Sequence, residues 1–562
     1  MTASRSVVLG LAALACGATL APAKDERADR IFINGKVWTG DPARPRAEAV
    51  AVRATRILAV GSNSEIRKRA EKLTDVVDLK GRLVVPGFDD AHLHFMSGSL
   101  SLGRVDLAGV SSLEEMKRRV AAQARDHPGL AWIRGKGWAY GDFPAGGPNK
   151  KDLDAAVLDR LVFLGDRDGH SAWVNSAALA AAGIGRGTPD PEGGVIVRDA
   201  AGQPTGVLKE SAVDLVRRLI PPDGRAERYE ALKRGLALAA SYGLTSAQDA
   251  GFDLDDLPAY EQLMSEGGLK LRFMAALPMK PDPTPQDLAE YNDLRSRFHG
   301  PHFRFSAVKG YVDGVIDAKT AALLQPYTSG DTGILNWTAE ALNRSVAVYD
   351  RERFQVMLHA VGDKAIRMAL DAFETAARAN GTQGRRHRVE HAELPDPADL
   401  PRFKALGVVA STQALFANPD KTVLENFAVL LGPERAARAD SFKLYDDAGA
   451  VQAFGSDWPV FSCDVLRAIY CAVTRTTPEG KPPGGWEPQG RIGVEAALAH
   501  FTRDAAYASF DEDAKGTLSA GKLADFAVIS EDVLAGPPEV LLRAKVLLTV
   551  MGGQDTFRDP GF

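Results

Sequence analysis

The sequence predicts an α/β fold: a (β/α)8 TIM barrel with a large insertion after its first strand, joined to a small β-sandwich domain formed by both termini. Three observations predict it. The chain has 562 residues, beyond the size at which a single hydrophobic core stops growing, so more than one structural unit is expected. Its middle alternates short apolar runs with longer helical stretches, as a parallel sheet wrapped by helices requires. Its two ends share a strand-and-turn texture that the middle lacks.

From the N-terminus, Arg5 precedes the apolar run Val7-Val8-Leu9-Gly10-Leu11-Ala12-Ala13-Leu14-Ala15, which is too short to span a bilayer. Ala21-Pro22-Ala23 then offers an A-x-A cleavage site before the charged Lys24-Asp25-Glu26-Arg27. This layout predicts a secretory signal peptide over residues 1–23 and an exported protein, periplasmic or secreted. Lipid attachment at Cys16 is the alternative, disfavoured because Ala13 stands where a lipoprotein signal prefers a larger aliphatic residue. Cleavage leaves Cys463 and Cys471, and two buried free thiols are the simpler expectation, since nothing in the sequence brings their Cα atoms within bridging range.

Residues 24–85 read as short strands and turns, the first part of the sandwich. Ile31-Phe32-Ile33 leads through Asn34-Gly35, a strong hairpin signal, into Lys36-Val37-Trp38-Thr39. Residues 86–512 are assigned to the barrel. Its strands are expected at Leu83-Val84-Val85-Pro86-Gly87-Phe88, Leu244-Thr245-Ser246-Ala247, Leu271-Arg272-Phe273-Met274-Ala275 and Phe305-Ser306-Ala307-Val308-Lys309. Four more follow at Gln355-Val356-Met357-Leu358-His359, His387-Arg388-Val389-Glu390-His391, Val408-Val409-Ala410-Ser411-Thr412 and Val451-Gln452-Ala453-Phe454-Gly455-Ser456-Asp457. Eight is the number that closes such a barrel. The gap between the first and second implies an insertion of roughly residues 100–235, and residues 513–562 supply the rest of the sandwich.

Histidine placement carries the chemistry. In Asp90-Ala91-His92-Leu93-His94 the two imidazoles are two residues apart, so extended chain points both to one face. His359 ends the fifth expected strand, His391 the sixth and Asp457 the eighth. The C-terminal strand ends of a barrel converge on one mouth. Four imidazoles and a carboxylate gathered there match the nitrogen and oxygen donors that zinc accepts. Lys309 ends the fourth strand, where an ammonium would repel a cation. It fits if burial favours the neutral amine, which can then react with carbon dioxide to give a carbamate with two donor oxygens.

These residues resemble the amidohydrolase superfamily, specifically its amidohydrolase-3, YtcJ-like branch, over nearly the whole mature chain. The resemblance rests on Pro86-Gly87-Phe88-Asp89-Asp90-Ala91-His92-Leu93-His94, Val308-Lys309-Gly310-Tyr311-Val312-Asp313-Gly314 and His359-Ala360-Val361-Gly362-Asp363. Glu390-His391, Gly455-Ser456-Asp457-Trp458-Pro459 and the closing Gly516-Thr517-Leu518-Ser519-Ala520-Gly521-Lys522-Leu523-Ala524-Asp525 complete it. It implies one or two zinc ions, or another divalent metal, on His92, His94, His359, His391 and Asp457, with Lys309 as a carbamylated bridging ligand. Asp168-Gly169-His170-Ser171-Ala172-Trp173 also matches that branch, which implies that His170 stabilises charge on a substrate carbonyl oxygen. Of the nearby aromatics, Trp173, Tyr311 and Trp458 are the candidates for touching substrate, and no more than two of them are expected to do so.

The implied activity is hydrolysis of an amide-type C–N bond, such as that of an N-substituted formamide, in a small organic substrate by metal-activated hydroxide, with Asp457 moving the proton. An esterase or lactonase would use the same site. A non-catalytic metal-binding regulator is the third reading, disfavoured because a purely structural site needs no water-activating carboxylate. A formal net charge of -5, without basic runs, gives no reason to propose nucleic acid as partner. No segment beyond the leader is long and apolar enough to span a membrane, and the sequence leaves a homo-oligomer open.

Overall fold

The computed structural model describes residues 27–562 except 111, 139–142, 144–146, 167–170, 193, 382–383 and 421. The signal-peptide reading, Cys16 and His170 therefore lie outside the described residues.

Eight parallel strands form the barrel, each paired with its neighbour in chain order. They are Phe88–Leu93, Leu244–Asp249, Arg272–Pro278, Phe303–Tyr311, Gln355–Ala360, Arg388–His391, Val409–Gln413 and Val451–Gly455. Most are buried along their whole length, so they lack the buried–exposed alternation of a strand with one solvated face. The ring is drawn shut where the last strand meets the first: Ser456 N and Asp457 N donate to His92 O at 3.1 and 2.7 Å. Glycine at 455 permits that approach, since a Cβ there would stand 2.5 Å from His92 N.

The first strand differs from expectation. Leu83–Pro86 is a strand of the sandwich, antiparallel to Phe526–Ile529 and parallel to Lys36–Trp38. The barrel begins at Phe88 with a strand holding Asp89, Asp90 and His92, too polar to be read as core from sequence. Its carboxylates are buried because each finds donors. Gln248 Nε2 and Lys515 Nζ reach Asp89 at 3.2 and 2.8 Å, and Ser456 N reaches Asp90 at 2.9 Å.

Between the first and second barrel strands, the insertion builds its own six-stranded sheet, from Val105–Asp106 to Pro204–Glu210. The helix Arg225–Ser241 then returns to the barrel and packs on Phe95–Ser101. The sandwich has a four-stranded sheet from the N-terminal segment and a six-stranded sheet to which both ends of the chain contribute. Phe32 and Phe526, from opposite sheets, meet edge-to-face at 4.9 Å. Asn34-Gly35 makes no hairpin: Asn34 takes φ 57°, but the strands on either side of the turn enter different sheets. Cys463 and Cys471 are buried and free. No helix among the described residues is long and apolar enough to cross a membrane.

Candidate metal centre

The first strand delivers His92 from its interior and His94 just past its end, with ring centroids 5.7 Å apart. Asp457, two residues after the last strand, faces both: its Oδ1 lies 3.6 Å from His92 Nε2 and 3.3 Å from His94 Nε2. One ligand atom from each of these three residues lies within 4.8 Å of the others. His391 stands beside them, its ring 4.7 Å from His92 and 4.4 Å from His359. Lys309 Nζ approaches His92 Nε2 to 3.5 Å and lies 4.8 Å from the centroid of the Tyr311 ring.

Two local backbone features make this convergence feasible. Consecutive residues of a strand point to opposite faces, so Glu390 and His391 could not both reach His92 from regular chain. His391 takes φ 69°, which breaks the alternation, and Ala392 follows at 51°. Asp457 is likewise left-handed, at 56°. Non-glycine residues in this region cost on the order of 1 kcal/mol or more and persist where surrounding contacts fix them. Here the fixing contacts are Asp457 N on His92 O and Tyr445 Oη on Ala392 O at 2.6 Å.

Three of the imidazoles, His92, His359 and His391, are held neutral with defined tautomers. Burial pushes His92 and His391 well below the usual histidine range, and burial with the nearby Lys309 brings His359 to about 4. His92 Nδ1 is bonded to Glu390, which leaves Nε2 as its lone-pair nitrogen toward Asp457. Arg388, fully buried, grips Glu390 through two bonds of 2.7 and 3.0 Å. His391 Nδ1 donates to Gln413 Oε1 at 2.8 Å, and His359 Nε2 to Gly314 O at 3.1 Å. Such partners fix ring orientation and raise ligand basicity. Burial also lowers the Lys309 ammonium to about 8, against the pull of Glu390 and Asp457.

Sequence reasoning assigned no role to Arg388, Glu390 or Gln413. The signal available was two opposite charges two residues apart in a strand flanked by apolar chain, which places both on one buried face. The aromatic candidates separate. Tyr311 is 47% exposed with its ring 5.5 Å from His359. Trp173 is a correction: it is fully buried in the core of the insertion and donates to Asn149 O at 3.0 Å. Trp458 is another, packed against Phe95 at 5.5 Å and seated where any Cβ on Gly98 would fall 2.3 Å from its ring. Both indoles fill cores, so neither offers a free face to a substrate.

The donor set fits a divalent cation. Among the described residues Asp457 Oδ1 is buried and accepts no hydrogen bond, yet it stands between the Nε2 atoms of His92 and His94, an arrangement that a positive ion would relieve.

The amidohydrolase family model matches residues 75–557. Protein LONG AFTER FAR-RED 3 of Arabidopsis thaliana is 34% identical over 557 residues, covering 96% of this chain and 93% of that protein. The N-substituted formamide deformylase of Arthrobacter pascens is 28% identical, with 93% and 97% covered. Among solved structures, an uncharacterized metal-dependent hydrolase from Pyrococcus furiosus superposes with a TM-score of 0.71 at 28% identity, covering 90% of this chain and 99% of that one.

Proposed function

The chain belongs to the amidohydrolase family, and from that premise we propose that it hydrolyses an amide-type C–N bond of a small organic molecule, with N-substituted formamides as the first class to test. The observation that carries the reading is Asp457: a buried carboxylate oxygen, between His92 and His94, without a hydrogen-bond donor among the described residues. The formamide assignment takes its support from the deformylase relative.

His92, His94 and Asp457 would hold one ion, zinc by default, and His359, His391 and a carbamylated Lys309 a second. A divalent ion bound there supplies positive charge that acidifies water and polarises a carbonyl. The chain's own groups do the rest. Asp457 takes the proton that the attacking water releases and returns it to the leaving nitrogen, which departs as an amine. Glu390, held by Arg388, keeps the His92 ring in register while charge changes beside it. Tyr311, half exposed beside His359, forms a wall against which the substrate's organic group can rest. His170 is proposed as a donor to the developing oxyanion. The leader pattern of residues 1–23 supports an exported enzyme.

The test compares metal-loaded wild type with Asp457→Asn on N-substituted formamides, arylamides and aryl esters. Loss of about 10²-fold or more in kcat for amides is expected. Unchanged turnover in the variant would remove Asp457 from proton transfer, and turnover confined to esters would replace the C–N assignment. In the same preparations, growth with ¹³C-bicarbonate should give a carbamate carbon signal that Lys309→Met lacks. Absence of that signal from wild type would remove the carbamate.

A further inference from the structure

Tyr311 is the last residue of the strand Phe303–Tyr311 and stands two residues beyond Lys309. Alternate residues of a strand share a face, so both side chains leave it toward the metal centre. The contacts agree: Lys309 Nζ lies 4.8 Å from the centroid of the Tyr311 ring, and the His359 ring is 5.5 Å away, inclined at 39°. The main chain here is fixed from both sides. Trp337 Nε1 donates to Tyr311 O at 2.9 Å, and Val312 N donates to His359 O at 2.9 Å. Tyr311 is thus held in place although it is open to solvent.

The phenol stands on the accessible side of the centre. His92, Lys309, His359, His391 and Asp457 are buried, whereas His94 keeps 28% of its side chain exposed. Gly251, itself exposed, lies beside His94. A Cβ on Gly251 would fall 3.3 Å from His94 Nδ1 and Cε1 and 3.7 Å from Tyr311 Oη, the nearest atoms outside the adjoining chain. Glycine therefore keeps open a gap between the accessible ligand and the phenol oxygen, through which a substrate can approach.

Attack on a carbonyl puts negative charge on its oxygen, and a donor aimed there stabilises the transition state more than the ground state. Several N–H groups around this centre are already committed. His92 Nδ1 is bonded to Glu390, His359 Nε2 to Gly314 O, His391 Nδ1 to Gln413 and Trp337 Nε1 to Tyr311 O. The Tyr311 hydroxyl has no hydrogen-bond partner among the described residues, and a phenol keeps its proton at neutral pH. Resting on the hydrolase reading above, we propose that Tyr311 is a further catalytic residue, whose O–H donates a hydrogen bond to the substrate's carbonyl oxygen as that oxygen becomes negative. No proton is transferred in this contact, so proton movement stays with Asp457. An alkoxide oxygen accepts more than one hydrogen bond, so the donor proposed at His170 does not compete with it.

Tyr311→Phe keeps the ring and removes the donor, and Tyr311→Leu removes both. In metal-loaded full-length protein, Tyr311→Phe should lower kcat about 10²- to 10³-fold, with KM within about threefold of wild type and metal content unchanged. Tyr311→Leu should raise KM as well. The monoanilide of methylphosphonic acid mimics the tetrahedral intermediate, and calorimetric titration should show it binding Tyr311→Phe about 10²-fold or more weakly than wild type. Full kcat in Tyr311→Phe overturns the proposal and leaves the ring as a wall alone. So does a raised KM at unchanged kcat, because the hydroxyl would then hold substrate and transition state equally. Loss of metal from Tyr311→Phe, or equal binding of the phosphonate by both proteins, or none by wild type, overturns it too. Turnover confined to esters removes the C–N assignment, and the Tyr311 comparison is then read on the ester, whose carbonyl gives the same oxyanion.

Discussion

Glu390 shows how far the properties of one ligand are set by its neighbours. His92 is buried without charge, and only one of its nitrogens can face a cation, so the partner of the other decides whether the lone pair points the right way. Glu390→Gln keeps the size but allows the amide to present either its oxygen or its nitrogen to Nδ1, and it leaves Arg388 buried with a weaker partner. Metal affinity is expected to fall about 10- to 100-fold with the fold retained, read by competition with a chelator. Unchanged affinity would reduce Glu390 to an anchor for Arg388. The convergence of the proposed ligands was legible because His92, His94, His359, His391 and Asp457 stand within two residues of the C-terminal ends of barrel strands, where pattern alone points them to a common mouth. The part played by Glu390 was not, because Glu390 and His391 share that side only through the left-handed turn at His391, and the modest enrichment of histidine at positive φ is too weak to announce it.

Among the elements, helices on both sides of the last barrel strand in sequence are tied by His500. It ends the helix Val494–His500 and touches two others: Nδ1 is bonded to Asp504 at 2.9 Å, and Nε2 lies 3.2 Å from Asp446. Burial alone would lower its pKa, but the two carboxylates overcome that and raise it to about 9. The folded value exceeds the unfolded value of about 6.5, so the stabilisation is complete below about pH 6.5 and is lost as pH rises through 9. Its size is on the order of 3 kcal/mol at most. His500→Gln should therefore melt well below wild type at about pH 6 and approach it near pH 10. A gap in Tm that stays constant with pH would show packing against Phe454, rather than charge, to be the stabilising contact. Strand identity was readable where burial on both faces left short apolar runs, as in Phe273-Met274-Ala275-Ala276-Leu277 and Val356-Met357-Leu358. It failed at Phe88–Leu93, because the acids there are compensated by Gln248, Lys515 and Ser456 from distant sequence. A local window registers their polarity and not their partners.

At the scale of the molecule, the barrel and sandwich are joined through buried charge. Arg272, first residue of the third barrel strand, donates to both oxygens of Asp525 at 2.7 and 3.1 Å, and both side chains are almost wholly inaccessible. Asp525 also accepts from Gly552 N, so one carboxylate anchors a barrel strand and the turn between the two final sandwich strands. A pair of this kind need not stabilise relative to an apolar pair of the same shape, but removing one member strands the other as an unpaired buried ion. Arg272→Met should thus lower unfolding free energy by about 3–5 kcal/mol, whereas Arg272→Met with Asp525→Leu should recover much of that loss. The bridge lies at the strand end remote from Lys309 and the histidines, so metal content of the folded fraction should not change. Urea unfolding followed by tryptophan fluorescence measures both variants. If the double variant is as unstable as the single, packing between the two units, rather than the stranded charge, sets the cost. If neither differs from wild type, the remaining contacts, among them Lys515 on Asp89 at 2.8 Å and Thr549 on Ala240 O at 2.6 Å, suffice to hold the units together.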